Sequence, residues 1–179
     1  MNTPNKLTLL RVILVPVFMW ALSFNIVLAI CIFVVASLTD QLDGYLARKN
    51  NQVTTFGKLM DPLADKILTM SALVSFVGME NVQFVPSWAV VIIISRELIV
   101  TGIRLIALGE NKVIAASMWG KAKTVSQLVA IIAVMLDLVV PLRIGGFCLT
   151  FWLMAIAVIL TVYSGVDYVV KNRGLLTFK

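Results

Sequence analysis

The sequence predicts an all-α integral membrane protein with six spanning helices and both chain termini on the cytoplasmic side. Three observations predict it. Of 179 residues, 60% are hydrophobic and only 13% charged, against roughly 25% charged in a soluble domain. Apolar segments recur at about 7–24, 26–47, 61–79, 84–108, 122–141 and 145–170, each close to the roughly 20 residues that cross a bilayer. Of the 15 Lys and Arg residues, only Arg143 falls on the alternate connections near 25, 80 and 142, and only Arg96 lies deep in a segment. The rest gather at the termini, at 48–60 and 109–121 and at the adjoining segment ends, which places those parts on the cytoplasmic side and requires an even number of spans.

The first segment follows Asn5 and Lys6 and contains Arg11, with no small-residue cleavage pattern after it. It is therefore expected to stay as a membrane helix, bent at Pro16. Asn5, Thr8 and Arg11 recur at three-residue spacing; they either cap and anchor this helix or line a cavity. In the second and third segments the purely apolar stretches, 26–39 and 67–79, are too short to span. Extension through 40–47 and 61–66 restores ordinary lengths but brings carboxylates into the helices. Acids at that depth are costly unless they face a wet cavity, metal ions or partner charges. The short apolar runs thus mark a cavity at the cytoplasmic ends of helices two and three.

Pro62 and Pro86 suit the first turns of the third and fourth helices. The fourth helix is interrupted by Arg96 and Glu97, with Arg104 two turns further on, and Gly120-Lys121-Ala122-Lys123-Thr124 opens the fifth from the cytoplasmic side. Pro141, Gly145 and Gly146 form the outer turn before the sixth. No linker, low-complexity stretch or repeat divides the chain, so residues 1–179 are expected to form a single domain.

The formal charge of +6 could suggest nucleic acid. The basic residues sit beside apolar runs, however, and read more simply as a surface facing anionic lipid heads and anionic substrates. The chain contains no His, which removes the usual imidazole ligand and base. Cys31 and Cys148 are expected to be inert buried thiols rather than a disulfide.

The chemistry is carried by Asp40-Gln41-Leu42-Asp43-Gly44-Tyr45-Leu46-Ala47-Arg48, then Gly57, Asp61 and Asp65. Spacings of three and four bring each aspartate pair to one side of its helix, and the short connection makes the two helices antiparallel neighbours. Four such carboxylates repel one another unless cations lie between them. They suit one or two hard divalent cations held through oxygen, which could bridge phosphate oxygens, while a carboxylate left partly free accepts a proton from an attacking hydroxyl. An aspartate-rich loop solvated by water explains the spacing less well. A divalent-cation transporter is the rival from another class, but it calls for polar residues deep in several helices, and the outer halves of helices two and three have none.

Asp40, Asp43, Gly44, Ala47, Arg48, Gly57, Asp61 and Asp65 complete the pattern D-x2-D-G-x2-A-R-x8-G-x3-D-x3-D. This resembles the signature of the CDP-alcohol phosphatidyltransferase family, whose members are six-helix membrane enzymes, commonly homodimers, that release CMP from a CDP-linked donor. The resemblance implies Asp40, Asp43 and Asp61 as principal metal ligands for Mg²⁺ or Mn²⁺, two ions in all. Asp65 is implied as the base for the acceptor hydroxyl, close enough to help hold metal. Gly44, Ala47 and Gly57 are implied to line the cytidine nucleotide, and Arg48 to touch donor phosphate or support the carboxylates.

Arg96, Arg104, Lys121 and Lys123 are candidates for binding a phosphate on the acceptor. Alternatively, Arg96 only pairs with Glu97, and the two lysines only meet lipid heads. Asn5-x2-Thr8-x2-Arg11, Asp61-Pro62-Leu63-Ala64-Asp65-Lys66, Arg96-Glu97 and Gly120-Lys121-x-Lys123-Thr124 resemble the branch of the family that uses glycerol 3-phosphate. That resemblance implies CDP-diacylglycerol as donor, sn-glycerol 3-phosphate as acceptor, and phosphatidylglycerol phosphate and CMP as products, made at a bacterial cell membrane. The runner-up within the family uses phosphatidylglycerol as acceptor and makes cardiolipin.

Overall fold

A computed structural model describes the backbone of residues 3–49, 55–82, 84–109, 114, 117–144 and 147–173, and the side chains of 10, 12–38, 66–82, 84–107, 109, 114, 117–142 and 148–173. Six α-helices follow in order: α1 (Thr3–Phe24), α2 (Ile26–Lys49), α3 (Thr55–Val77), α4 (Ser87–Gly109), α5 (Met118–Asp137) and α6 (Leu149–Lys171). Between α5 and α6 lie β1 (Arg143–Ile144) and β2 (Phe147–Cys148), paired antiparallel with Arg143 opposite Cys148. Among the described residues the fold is all-α apart from this short ladder.

Contacts divide the chain into two compact units, Met1–Ser75 and Phe76–Lys179. In the first, α1 packs on α2, with the buried rings of Phe18 and Phe33 5.7 Å apart. Asn25 separates the two helices, and its side chain accepts from the Leu28 N–H at 3.0 Å, satisfying one of the donors that a new helix start leaves open. Pro16 lies inside α1, as expected.

In the second unit, α6 packs against both α5 and α4. The buried face of α5 carries Lys123, Gln127, Ala130, Ile131 and Val134, and that of α6 carries Met154, Ala157, Thr161, Ser164 and Tyr168. Polar side chains such as Glu97, Lys123, Gln127, Thr161 and Ser164 therefore share an otherwise apolar interior, while Trp88, Trp152, Ile159 and Val166 are exposed. A water-soluble domain seldom exposes so many large apolar side chains together, and small and hydroxyl residues between helices are the pattern of packing in lipid.

Among the described residues, only those of α5 and α6 form helices both long and apolar enough to cross a membrane. Shorter apolar stretches occur at Val12–Phe24, Ile26–Leu38 and Lys66–Val77. The fourth helix fails because Arg96, Glu97 and Arg104 interrupt it.

Several expected boundaries move. The third helix begins at Thr55, so Pro62 is its eighth residue rather than part of its first turn. Pro86 lies just before α4, and its carbonyl accepts from Ala89 at 3.0 Å. The fifth helix stops at Asp137 because that carboxylate accepts from the Leu142 N–H at 2.6 Å and turns the chain back; β1 and β2 then delay α6 to Leu149. Both cysteines are free, but Cys31 is exposed on α2 and Cys148 half-buried, which corrects the expectation of two buried thiols. An apolar neighbourhood marks the outside of this protein as readily as its core.

Candidate active site

The predicted site residues fall in both units. Asp40, Asp43, Gly44, Ala47 and Arg48 lie on the helical backbone of α2, and Gly57, Asp61 and Asp65 on that of α3. Helix therefore runs unbroken through each aspartate pair, as spacings of three and four require for both members to share a side. Their side chains, with those of Asn5, Thr8 and Arg11 on α1, lie outside the described residues. Among the described residues, no group of three His, Cys, Asp or Glu could hold a metal ion. As a donor set, four carboxylates fit Mg²⁺ or Mn²⁺, which take hard oxygen ligands.

The basic residues of α4 and α5 are described in detail. Ser117 begins α5: its extended backbone (φ −70°, ψ 156°) lets the hydroxyl accept from the Gly120 N–H at 3.1 Å, the geometry of a helix N-cap. The cap sets Lys121 on the exposed side and Lys123 on the buried one. The Thr124 hydroxyl donates back to the Gly120 carbonyl at 3.0 Å.

Lys123 has a side chain only 2% exposed, and its ammonium donates to Glu97 Oε1. Arg96 donates to the same carboxylate oxygen through Nη1 at 3.1 Å. Its Nη2 donates to Ser164 Oγ on α6, also at 3.1 Å, while Nε is buried with no hydrogen-bond partner. Gly165 makes room for this arrangement, because a Cβ there would stand 2.9 Å from Arg96 Cγ. A buried carboxylate thus holds two cations from different helices, the pairing such charges need away from water.

Two turns along α4, Arg104 donates from Nε to the Tyr168 hydroxyl at 3.3 Å. Its guanidinium carbon lies 5.5 Å from the ring centroid, within cation–π range. Arg96 and Lys123 are therefore brought together on Glu97, Arg104 is seated on Tyr168, and Lys121 is exposed. The sequence reading passed over Ser164, Gly165 and Tyr168. Their one signal was that Thr161, Ser164 and Tyr168 recur at helical spacing in a largely apolar segment.

Comparison with known proteins places this geometry in context. Residues 1–163 match the CDP-alcohol phosphatidyltransferase family. The CDP-diacylglycerol–glycerol-3-phosphate 3-phosphatidyltransferase of Bacillus subtilis is 41% identical over 187 aligned positions, covering 96% of this chain and 95% of that protein. The Haemophilus influenzae protein of the same name is 39% identical over 98% of this chain and 95% of its own. A Mycobacterium tuberculosis protein named "Probable phosphatidylglycerophosphate synthase" is 44% identical over 95% of this chain and 81% of its own. A match over most of the length, which takes in the aspartate spacing on α2 and α3, leads to one conclusion: the chain belongs to the CDP-alcohol phosphatidyltransferase family.

Proposed function

We propose that this protein transfers the phosphatidyl group of CDP-diacylglycerol to sn-glycerol 3-phosphate, giving phosphatidylglycerol phosphate and CMP. The observation that carries this reading is the full-length likeness to the Bacillus subtilis enzyme named for that reaction. The complete aspartate pattern on two helices supports it.

The protein works as one catalytic domain, 1–179, in a bacterial cell membrane. Six helices span the bilayer, both termini and the site face the cytoplasm, and two copies form a homodimer. The large exposed apolar side chains of Phe76–Lys179 support the membrane setting, and the distribution of Lys and Arg supports the orientation.

Asp40, Asp43 and Asp61, helped by Asp65, hold one or two Mg²⁺ or Mn²⁺ ions. Held there, such cations would supply positive charge to the donor pyrophosphate and to the departing CMP. Gly44, Ala47 and Gly57 leave space for the cytidine nucleotide, and Arg48 meets donor phosphate. Asp65 accepts the proton of the acceptor hydroxyl as that oxygen attacks, in line, the phosphorus bearing diacylglycerol. Arg96, Arg104 and Lys121 hold the acceptor phosphate in place, and Lys123 supports Arg96 through the Glu97 carboxylate that both share. Asn5, Thr8, Arg11 and Thr124 border the cavity. The site opens sideways into lipid, because the donor's acyl chains are too costly to expose to water.

The test is turnover by the purified protein with CDP-diacylglycerol and labelled acceptors. Glycerol 3-phosphate should be used far better than phosphatidylglycerol, serine or inositol phosphate. Preference for phosphatidylglycerol would make the protein a cardiolipin-forming enzyme. Metal passage into vesicles without CMP release would make it a transporter.

A further inference from the structure

The geometry points to α6 as the element that aims the acceptor-binding arginines, with Ser164 and Tyr168 as positioning residues for Arg96 and Arg104. This rests on the reading that both arginines hold the acceptor phosphate.

Each arginine stands on α4, but each is tied by a hydroxyl of α6. Ser164 has one proton, and it donates that proton to the Thr161 carbonyl at 3.2 Å. Its oxygen is therefore left to accept, and Arg96 Nη2 supplies the donor at 3.1 Å. Ser164 is fully buried, so no solvent competes for that lone pair. Gly165 beside it admits the stem of Arg96. The Tyr168 hydroxyl takes Nε of Arg104, and Tyr168 is itself 3% exposed. Fixing Nε rather than a terminal nitrogen leaves Nη1 and Nη2, the pair that grips a phosphate in a fork, for a ligand.

Both ties come from neutral hydroxyls, so they orient the guanidinium groups without cancelling their positive charge.

The test is steady-state kinetics of the full-length protein in detergent micelles, with CDP-diacylglycerol and glycerol 3-phosphate varied separately. Ser164→Ala and Tyr168→Phe should each raise KM for glycerol 3-phosphate about ten-fold, the scale of one hydrogen bond to a charged group. KM for CDP-diacylglycerol and kcat should change far less. Each effect should vanish when its own arginine is replaced: Tyr168→Phe should add nothing to Arg104→Gln, nor Ser164→Ala to Arg96→Gln. Unchanged KM in both single variants, or equal increments in the arginine backgrounds, would overturn the inference alone. Absence of CMP release from the unaltered protein with glycerol 3-phosphate would overturn the proposed function, and this inference with it. Should Ser164→Ala not fold, Tyr168→Phe decides, since it keeps the ring and removes one oxygen.

Discussion

Lys123 of α5 donates its ammonium to Oε1 of Glu97 on α4, with both side chains almost fully buried. The same oxygen receives Arg96, so one carboxylate ties a cation of its own helix to one of the next.

Replacing Glu97 by Ala takes that carboxylate from two buried cations. Breaking a buried ion pair from one side costs about 3–5 kcal/mol. Thermal unfolding in detergent should show Glu97→Ala far less stable than the parent. Lys123→Met should cost less, because an apolar side chain of similar length replaces the buried charge. Equal midpoints for Glu97→Ala and the parent would refute the tie.

Gly165 and Gly102 make a matched pair for substitution by Ala. A Cβ at Gly165 would meet Arg96 Cγ at 2.9 Å, whereas nothing lies within 4 Å of one at Gly102. Alanine gains about 0.5–1 kcal/mol over glycine within a helix, and overpacking costs about 1–3 kcal/mol. Gly102→Ala should therefore match or exceed the parent's stability, and Gly165→Ala should fall below it. Equal melting behaviour of the two variants would contradict the close approach at Gly165.

Lys121 and Lys123 are two residues apart but differ in surroundings, one exposed and the other buried. Lys121→Ala should raise KM for the acceptor and leave the folded fraction unchanged. Lys123→Ala should reduce the yield of folded protein as well as its activity. Size-exclusion elution and acceptor titrations on both variants check this together.

Asp65→Asn should nearly abolish CMP release while the protein stays folded in the membrane, since an amide cannot take the acceptor's proton. Chelation of divalent ions should stop turnover, and Mg²⁺ or Mn²⁺ should restore it. Near-normal activity in either case would remove the corresponding role.

Much of this was legible in the sequence, for identifiable reasons. Six apolar segments gave six helices, and the aspartate spacing fell on helical backbone. Helix starts were less legible. Pro62 reads as a first-turn residue, yet α3 begins seven residues earlier. A proline removes one backbone donor, and the helix continues through that loss. The end of α5 depended on the Asp137 side chain reaching the Leu142 N–H, which no periodicity reveals. The α6 half of the arginine site was hidden for a similar reason: Ser164 and Tyr168 meet partners 68 and 64 positions away in the chain, and only packing brings them there.

The charges that interrupt α4 also bear on how the protein is made. An arginine at the middle of a helix costs about 2.5–3.5 kcal/mol on insertion into a bilayer, and α4 has two arginines and a glutamate. On its own it is a poor candidate to leave the translocation machinery for lipid. The two helices that follow it are long and apolar enough to cross a membrane and carry its partners: Lys123 neutralises Glu97, while the hydroxyls of Ser164 and Tyr168 accept from Arg96 and Arg104. The segment synthesised first therefore depends on those synthesised after it, and truncation within α6 should leave α4 stranded and open to degradation.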